Sequence, residues 1–161
     1  MISRLCVLIA LTLPLDLTAD TVRSTRTDAS GRTLTRSTIT TSGTTSVERI
    51  QDASGRSVGT IRSTVSGDAL RSTTTDSSGR TVSRATGTLR DSGTTLRLQD
   101  ATGRSAGTVR TEVSGSSTRL QVRDATGRTV ERGNQTVSGT TKTTRLQDAA
   151  GRSTGTVRTQ R

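Results

Sequence analysis

The chain has 161 residues, a formal net charge of +11, no aromatic residue and no histidine. That length suits one ordinary domain, while the missing residue types exclude His-based acid–base catalysis and any binding by aromatic stacking on bases or sugar rings. A hydrophobic share of 27% at this charge borders on the composition of disordered chains, so an ordinary globular core is not expected.

The chain opens MISRLCVLIALTLPLDLTAD, with a basic start at Arg4, an apolar run from Leu5 to Leu15 and a small residue at Ala19. This is the layout of a secretory signal peptide over residues 1–19, with a retained membrane anchor as the alternative. The run is short for a bilayer and is interrupted by Pro14 and Asp16. Its removal takes Cys6 with it and leaves a chain with no cysteine. Disulfides, a thiol nucleophile, a Cys/His zinc centre and a lipidated cysteine are then excluded, and no membrane span remains.

Residues 20–161 read as one repeat domain. The unit D-x-x-G-R first appears at Asp28–Arg32, with its glycine at Gly31. It returns every 24 residues, at Asp52 with Gly55, Asp76 with Gly79, Asp100 with Gly103, Asp124 with Gly127 and Asp148 with Gly151. Between these units falls a second glycine, at Gly43, Gly67, Gly93, Gly115 and Gly139. Asp suits the first position of a type I turn, where its carboxylate accepts from N–H groups just downstream, and Gly three places later takes positive φ at no cost. The unit therefore predicts a three-residue hairpin loop with a bulge, which sets Asp against Arg across the mouth.

The segments between turns alternate apolar and polar residues and are rich in Thr, Val and Ser, which favours strands. Counting outward from each turn sets Ile50 opposite Val58, Leu98 opposite Ala106 and Val122 opposite Val130. The expectation is an all-β antiparallel meander of about eleven or twelve strands of six to eight residues, forming an elongated or twisted sheet or an open spiral. The turns at Gly55, Gly103 and Gly151 are followed by S-x-G-T-[IV]-R, and those at Gly31, Gly79 and Gly127 by T-[LV]-x-R. The sequence period is thus 48 residues. RLQDATGRSAGTVR from Arg97 and RLQDAAGRSTGTVR from Arg145 share 12 of 14 letters.

The D-x-x-G-R turn, a strand, a second glycine and another strand resemble the YD-type (Rhs-type) repeats of bacterial surface and secreted proteins over residues 20–161. That resemblance implies a long antiparallel sheet that curls into a spiral or shell. The family's tyrosine before the Asp is replaced by Gln51, Thr75, Gln99, Arg123 and Gln147.

The six turn aspartates read as structural. Each offers a single carboxylate next to a cation, which is a poor calcium site, and neither a metal nor a cofactor is expected. Phosphate loops of the Walker or Rossmann type are absent. The strongest chemical feature is arginine: Lys142 is the one lysine among 24 basic residues. Arginines recur with the repeat as Arg36, Arg84 and Arg132 in one set and Arg62, Arg110 and Arg158 in the other. In a sheet such positions become rows, and the planar guanidinium suits carboxylate, sulfate or phosphate. A solubilising charged face that blocks aggregation is the alternative role. An outer-membrane barrel is set aside, because the strands carry Arg and Thr rather than an apolar lipid face with aromatic girdles.

The expectation for function is an exported, non-enzymatic β-repeat protein. It would be secreted, periplasmic or at the bacterial cell surface, and structural or adhesive in the envelope or matrix. Its expected partners are acidic polysaccharide, lipopolysaccharide or extracellular DNA, with self-association through edge strands as a further contact. The alternative is a secreted binding protein for one acidic ligand or protein partner.

Overall fold

The computed structural model describes residues 21–161; the segment read as a signal peptide, residues 1–19, lies outside them. Twelve strands run in order: β1 (Thr21–Thr27), β2 (Thr33–Ser42), β3 (Thr45–Asp52), β4 (Ser57–Ser66), β5 (Ala69–Asp76), β6 (Thr81–Arg90), β7 (Gly93–Asp100), β8 (Ser105–Ser114), β9 (Ser117–Asp124), β10 (Thr129–Ser138), β11 (Thr141–Asp148) and β12 (Ser153–Gln160). Each pairs antiparallel with the next, as the alternation and the turns predict. The open sheet or spiral expected from the sequence is corrected, because β1 also pairs with β12 and the strands close into a barrel.

The D-x-x-G-R loops all lie at one end. At Asp52 the backbone N–H donates to the Arg56 carbonyl at 2.9 Å, and the Gly55 N–H donates back to the Asp52 carbonyl at 3.1 Å. Gly55 sits at φ 88, the left-handed conformation that the loop demands. The carboxylate of Asp52 accepts from the Ser54 N–H at 2.9 Å, the Ser54 hydroxyl at 2.7 Å and the Arg56 N–H at 3.0 Å. Loops of two residues turn the chain at the other end, joining Ser42 to Thr45 and Ser66 to Ala69. Gly43, at φ 53, begins the first of these, as a type II′ turn requires. The third short loop departs from the pattern: Asp91 and Ser92 make the turn, and Gly93 begins β7 opposite Arg90.

A one-residue bulge follows every D-x-x-G-R loop and corrects the cross-strand pairs. Ile50 faces Gly59 while Gln51 faces Ser57, so Val58 is squeezed out of the ladder. Likewise Leu98 faces Gly107, and Val122 faces Glu131, not Ala106 or Val130. Bulges raise local twist, and twist repeated at six hairpins bends the meander round until its ends meet.

Glycine just beyond the bulge distinguishes alternate hairpins and accounts for the 48-residue period. A side chain at Gly59 would run into the Thr75 carbonyl, one at Gly107 into the Arg123 carbonyl and one at Gly155 into the Thr27 carbonyl. The glycines of the S-x-G strands therefore sit directly against the main chain of the strand that follows them. At the seam that following strand is β1. Thr25 pairs with Arg158 just as Thr73 pairs with Arg62, 48 residues on. Closure is the repeat interface made a third time, and it leaves no free edge strand among the described residues for chains to pair through.

Closure also supplies the core that composition argued against. Strand alternation sends the scarce aliphatic residues inward, and Ile50, Ile61, Leu70, Leu96, Leu98, Val109, Val122, Leu146 and Val157 are fully buried in one cluster. Buried serines and threonines fill the remaining inward positions. A curved sheet wrapped on itself needs only one apolar face, so a modest number of apolar side chains suffices.

Candidate functional site

The outer wall carries the arginines. Arg36, Arg62, Arg84, Arg110, Arg132 and Arg158 all stand exposed on even-numbered strands. The two sets do not form two separate rows, because members of one set lie four strands apart. The register instead joins one arginine from each set across a single intervening strand: Arg158–Thr25–Arg36, Arg62–Thr73–Arg84 and Arg110–Gln121–Arg132. Two strand widths separate the arginines of a pair, about 9–10 Å.

A second set went unnoticed in the sequence. Arg23, Arg49, Arg71, Arg97, Arg119 and Arg145 stand exposed on the odd-numbered strands. They form equivalent rows: Arg23–Thr38–Arg49, Arg71–Thr86–Arg97 and Arg119–Asn134–Arg145. The signal was present as two interleaved 48-residue series, Arg23/Arg71/Arg119 and Arg49/Arg97/Arg145, obscured because neither keeps the 24-residue spacing with the other. Every strand therefore presents one arginine outward near its middle. Of the carboxylates, Glu48 and Glu131 point inward and the turn aspartates sit at the strand ends. Glu112, 3.0 Å from Arg110, is the one carboxylate on the middle of the outer wall among the described residues.

The arginines are partly pre-positioned. Arg36 donates to the Ala53 carbonyl and Arg84 to the Ala101 carbonyl, each at 3.4 Å, leaning over the neighbouring turn. At the D-x-x-G-R rim the side chains of Arg32 and Arg152 pair with Asp28 and Asp148 at 3.2 and 2.8 Å. The turn carboxylates are held below the ordinary aspartate value. The neighbouring hydroxyl is the first cause at Asp28, Asp52, Asp76, Asp100 and Asp124, while at Asp148, followed two places on by Ala150, the Arg152 N–H leads. These carboxylates are committed to turn geometry.

Three charged groups break the repeat inside the barrel. Arg26 projects inward where the repeat elsewhere has Thr74 and Val122, and its guanidinium donates to Glu131 at 3.5 Å. Glu131, in the place of Thr35 and Ser83, also accepts from the Thr154 hydroxyl at 3.3 Å. Glu48 is buried as well and accepts from the Ser37 hydroxyl at 2.6 Å. These groups lie within the wall, away from the exposed arginine rows. No family model matches the chain, and no curated protein matches it significantly.

Proposed function

We propose that this is an exported, non-enzymatic barrel whose arginine-studded outer wall holds polyanions at the bacterial envelope or in its matrix, in a structural or adhesive role. The observation that carries the reading is that all twelve strands present an exposed arginine at repeat-equivalent positions, paired across one intervening strand, with Arg90 and Arg123 adding a second on β6 and β9. Guanidinium forks set at regular spacing on a rigid wall match a polymer whose negative charges also repeat. A purely solubilising face would gain nothing from that register. Without aromatic side chains the contact is driven by charge and fork geometry, hence sensitive to salt. The bulged D-x-x-G-R hairpins support kinship with the YD-type repeats as part of the same proposal.

The test is retention of the purified protein on immobilised heparin and on lipopolysaccharide across a salt series. Binding to both that falls steeply with salt is the expected result. Failure to bind either at low salt overturns the proposal, and salt-insensitive binding to one alone points instead to a receptor for one acidic ligand.

A further inference from the structure

The three 48-residue repeats build three equivalent stretches of outer wall, and the stretch on β8–β11 differs from the others in a coherent way. A cleft of about 230 Å³ opens there, with Arg110, Arg119 and Arg132 on its sides. Its floor is main chain at Leu120, whose side chain is buried, and at Gly133, which has none. Between the arginines stand Gln121 and Asn134, where the repeat elsewhere has Thr73 and Thr25, and Thr86 and Thr38. Glu112 lines the same cleft, where the other stretches have Thr64 and Gln160, and is held by Arg110 at 3.0 Å. Two repeat-consensus threonines have thus given way to amides, and a carboxylate has taken the place of a neutral side chain, beside three cations.

We propose that this cleft binds one acidic sugar residue of a polysaccharide, a proposal that rests on the polyanion reading and narrows it. A uronate residue offers one carboxylate and several hydroxyls. With Arg110 engaged by Glu112, the guanidinium groups of Arg119 and Arg132 take the carboxylate. The Asn134 amide presents a donor beside an acceptor, the complement of a sugar hydroxyl. The Gln121 amide, which donates to the Thr129 hydroxyl at 2.9 Å and accepts from Arg123 at 3.2 Å, keeps its second N–H and a second oxygen lone pair for another hydroxyl, and Glu112 accepts from a hydroxyl. A nucleic-acid backbone fits less well: its phosphates only accept, so the amide oxygens find no donor there and Glu112 repels it. Hydrogen bonds to the hydroxyls take the place of the aromatic stacking that this chain lacks.

The experiment titrates fluorescently labelled oligogalacturonate and a single-stranded oligodeoxythymidylate of equal charge against the full chain, at salt from about 50 to about 300 mM. The decisive variant is Gln121→Thr with Asn134→Thr. It restores the residues of the other repeats, leaves the net charge unchanged and keeps the fold. It is expected to weaken oligogalacturonate binding about tenfold and DNA binding less than about twofold. Arg119→Gln with Arg132→Gln should weaken oligogalacturonate at least about tenfold, against about twofold for the same change at their repeat equivalents, Arg71 and Arg84. Equal losses from the two arginine pairs, or no loss from the threonine pair, overturn the cleft while leaving the polyanion reading standing. Tighter binding of DNA than of oligogalacturonate also overturns it. Binding of neither polymer by the unaltered protein overturns both.

Discussion

Replacing Gly155 by alanine should loosen the barrel at its seam. Gly155 lies on β12 at φ 143, a conformation L-residues rarely take, and an added Cβ would meet the Thr27 carbonyl of β1. Forcing a non-glycine residue into such a conformation costs about 1–3 kcal/mol, and the collision with main chain adds to that because a backbone carbonyl cannot swing aside. The alanine recovers about 0.4–1 kcal/mol by restricting the unfolded chain. The net loss is about 2 kcal/mol, which for a domain of this size lowers the thermal midpoint by roughly 4–8 °C. Circular dichroism melts of Gly155→Ala and Gly107→Ala should therefore fall together, since Gly107, at φ 135, meets the Arg123 carbonyl of β9 in the same way inside the barrel. If Gly107→Ala melts early while Gly155→Ala matches or exceeds the parent, β12 has no neighbour where β1 should be and the reasoning fails.

Other outcomes follow from the same structure. Arg26→Thr strands Glu131 in the interior and should cost about 3 kcal/mol in urea unfolding, whereas Arg26→Thr with Glu131→Ser, which restores the residues of Thr74 and Ser83, should recover most of the loss. Leu96→Ala at a fully buried position should cost about 2–5 kcal/mol; a loss near zero would mean that backbone pairing alone holds the sheet. The turn aspartates titrate below their ordinary 3.8 in the folded protein. Their stabilisation is therefore complete above the unfolded value and lost as pH falls through the lowered folded values. Melts should hold steady from neutrality to about pH 5 and drop below about pH 4. Ala150→Ser, which gives Asp148 the hydroxyl its counterparts have, should raise the midpoint by about 1–2 °C.

The turns were legible because their chemistry is local. Asp at the first position and Gly at the fourth determine the loop whatever surrounds it, and all six formed as read. The facing pairs were misjudged because a further bulge, at Val58, Ala106 and Val130 beyond the one at the loop glycine, carries no residue signature of its own; it shows itself in the ladder. Closure was readable in principle. The glycine of S-x-G strands needs a close following strand, and Gly155, the last of the three, has none unless the chain returns to Thr27. Composition hid the core, because counting aliphatic residues says nothing of their all facing one way. The arginine surface was half visible: the even-strand positions keep a 48-residue beat from the turns, but which arginines stand together depends on register around a closed wall. The cleft on β8–β11 lay in departures from the repeat at Gln121, Asn134 and Glu112, whose meaning appears only when three distant segments are superposed.

The most direct test of the closed barrel is the distance between its first and last strands. Arg23 and Gln160 face each other across the seam. With Cys6→Ser to remove the native thiol, spin labels at Arg23→Cys and Gln160→Cys should report a single short distance, roughly 10–20 Å and independent of protein concentration, since paired strands lie about 5 Å apart. An open twelve-strand sheet would place the same labels about 50 Å apart at the same strand spacing, and a distance in that range would contradict the closed wall on which the arginine rows depend.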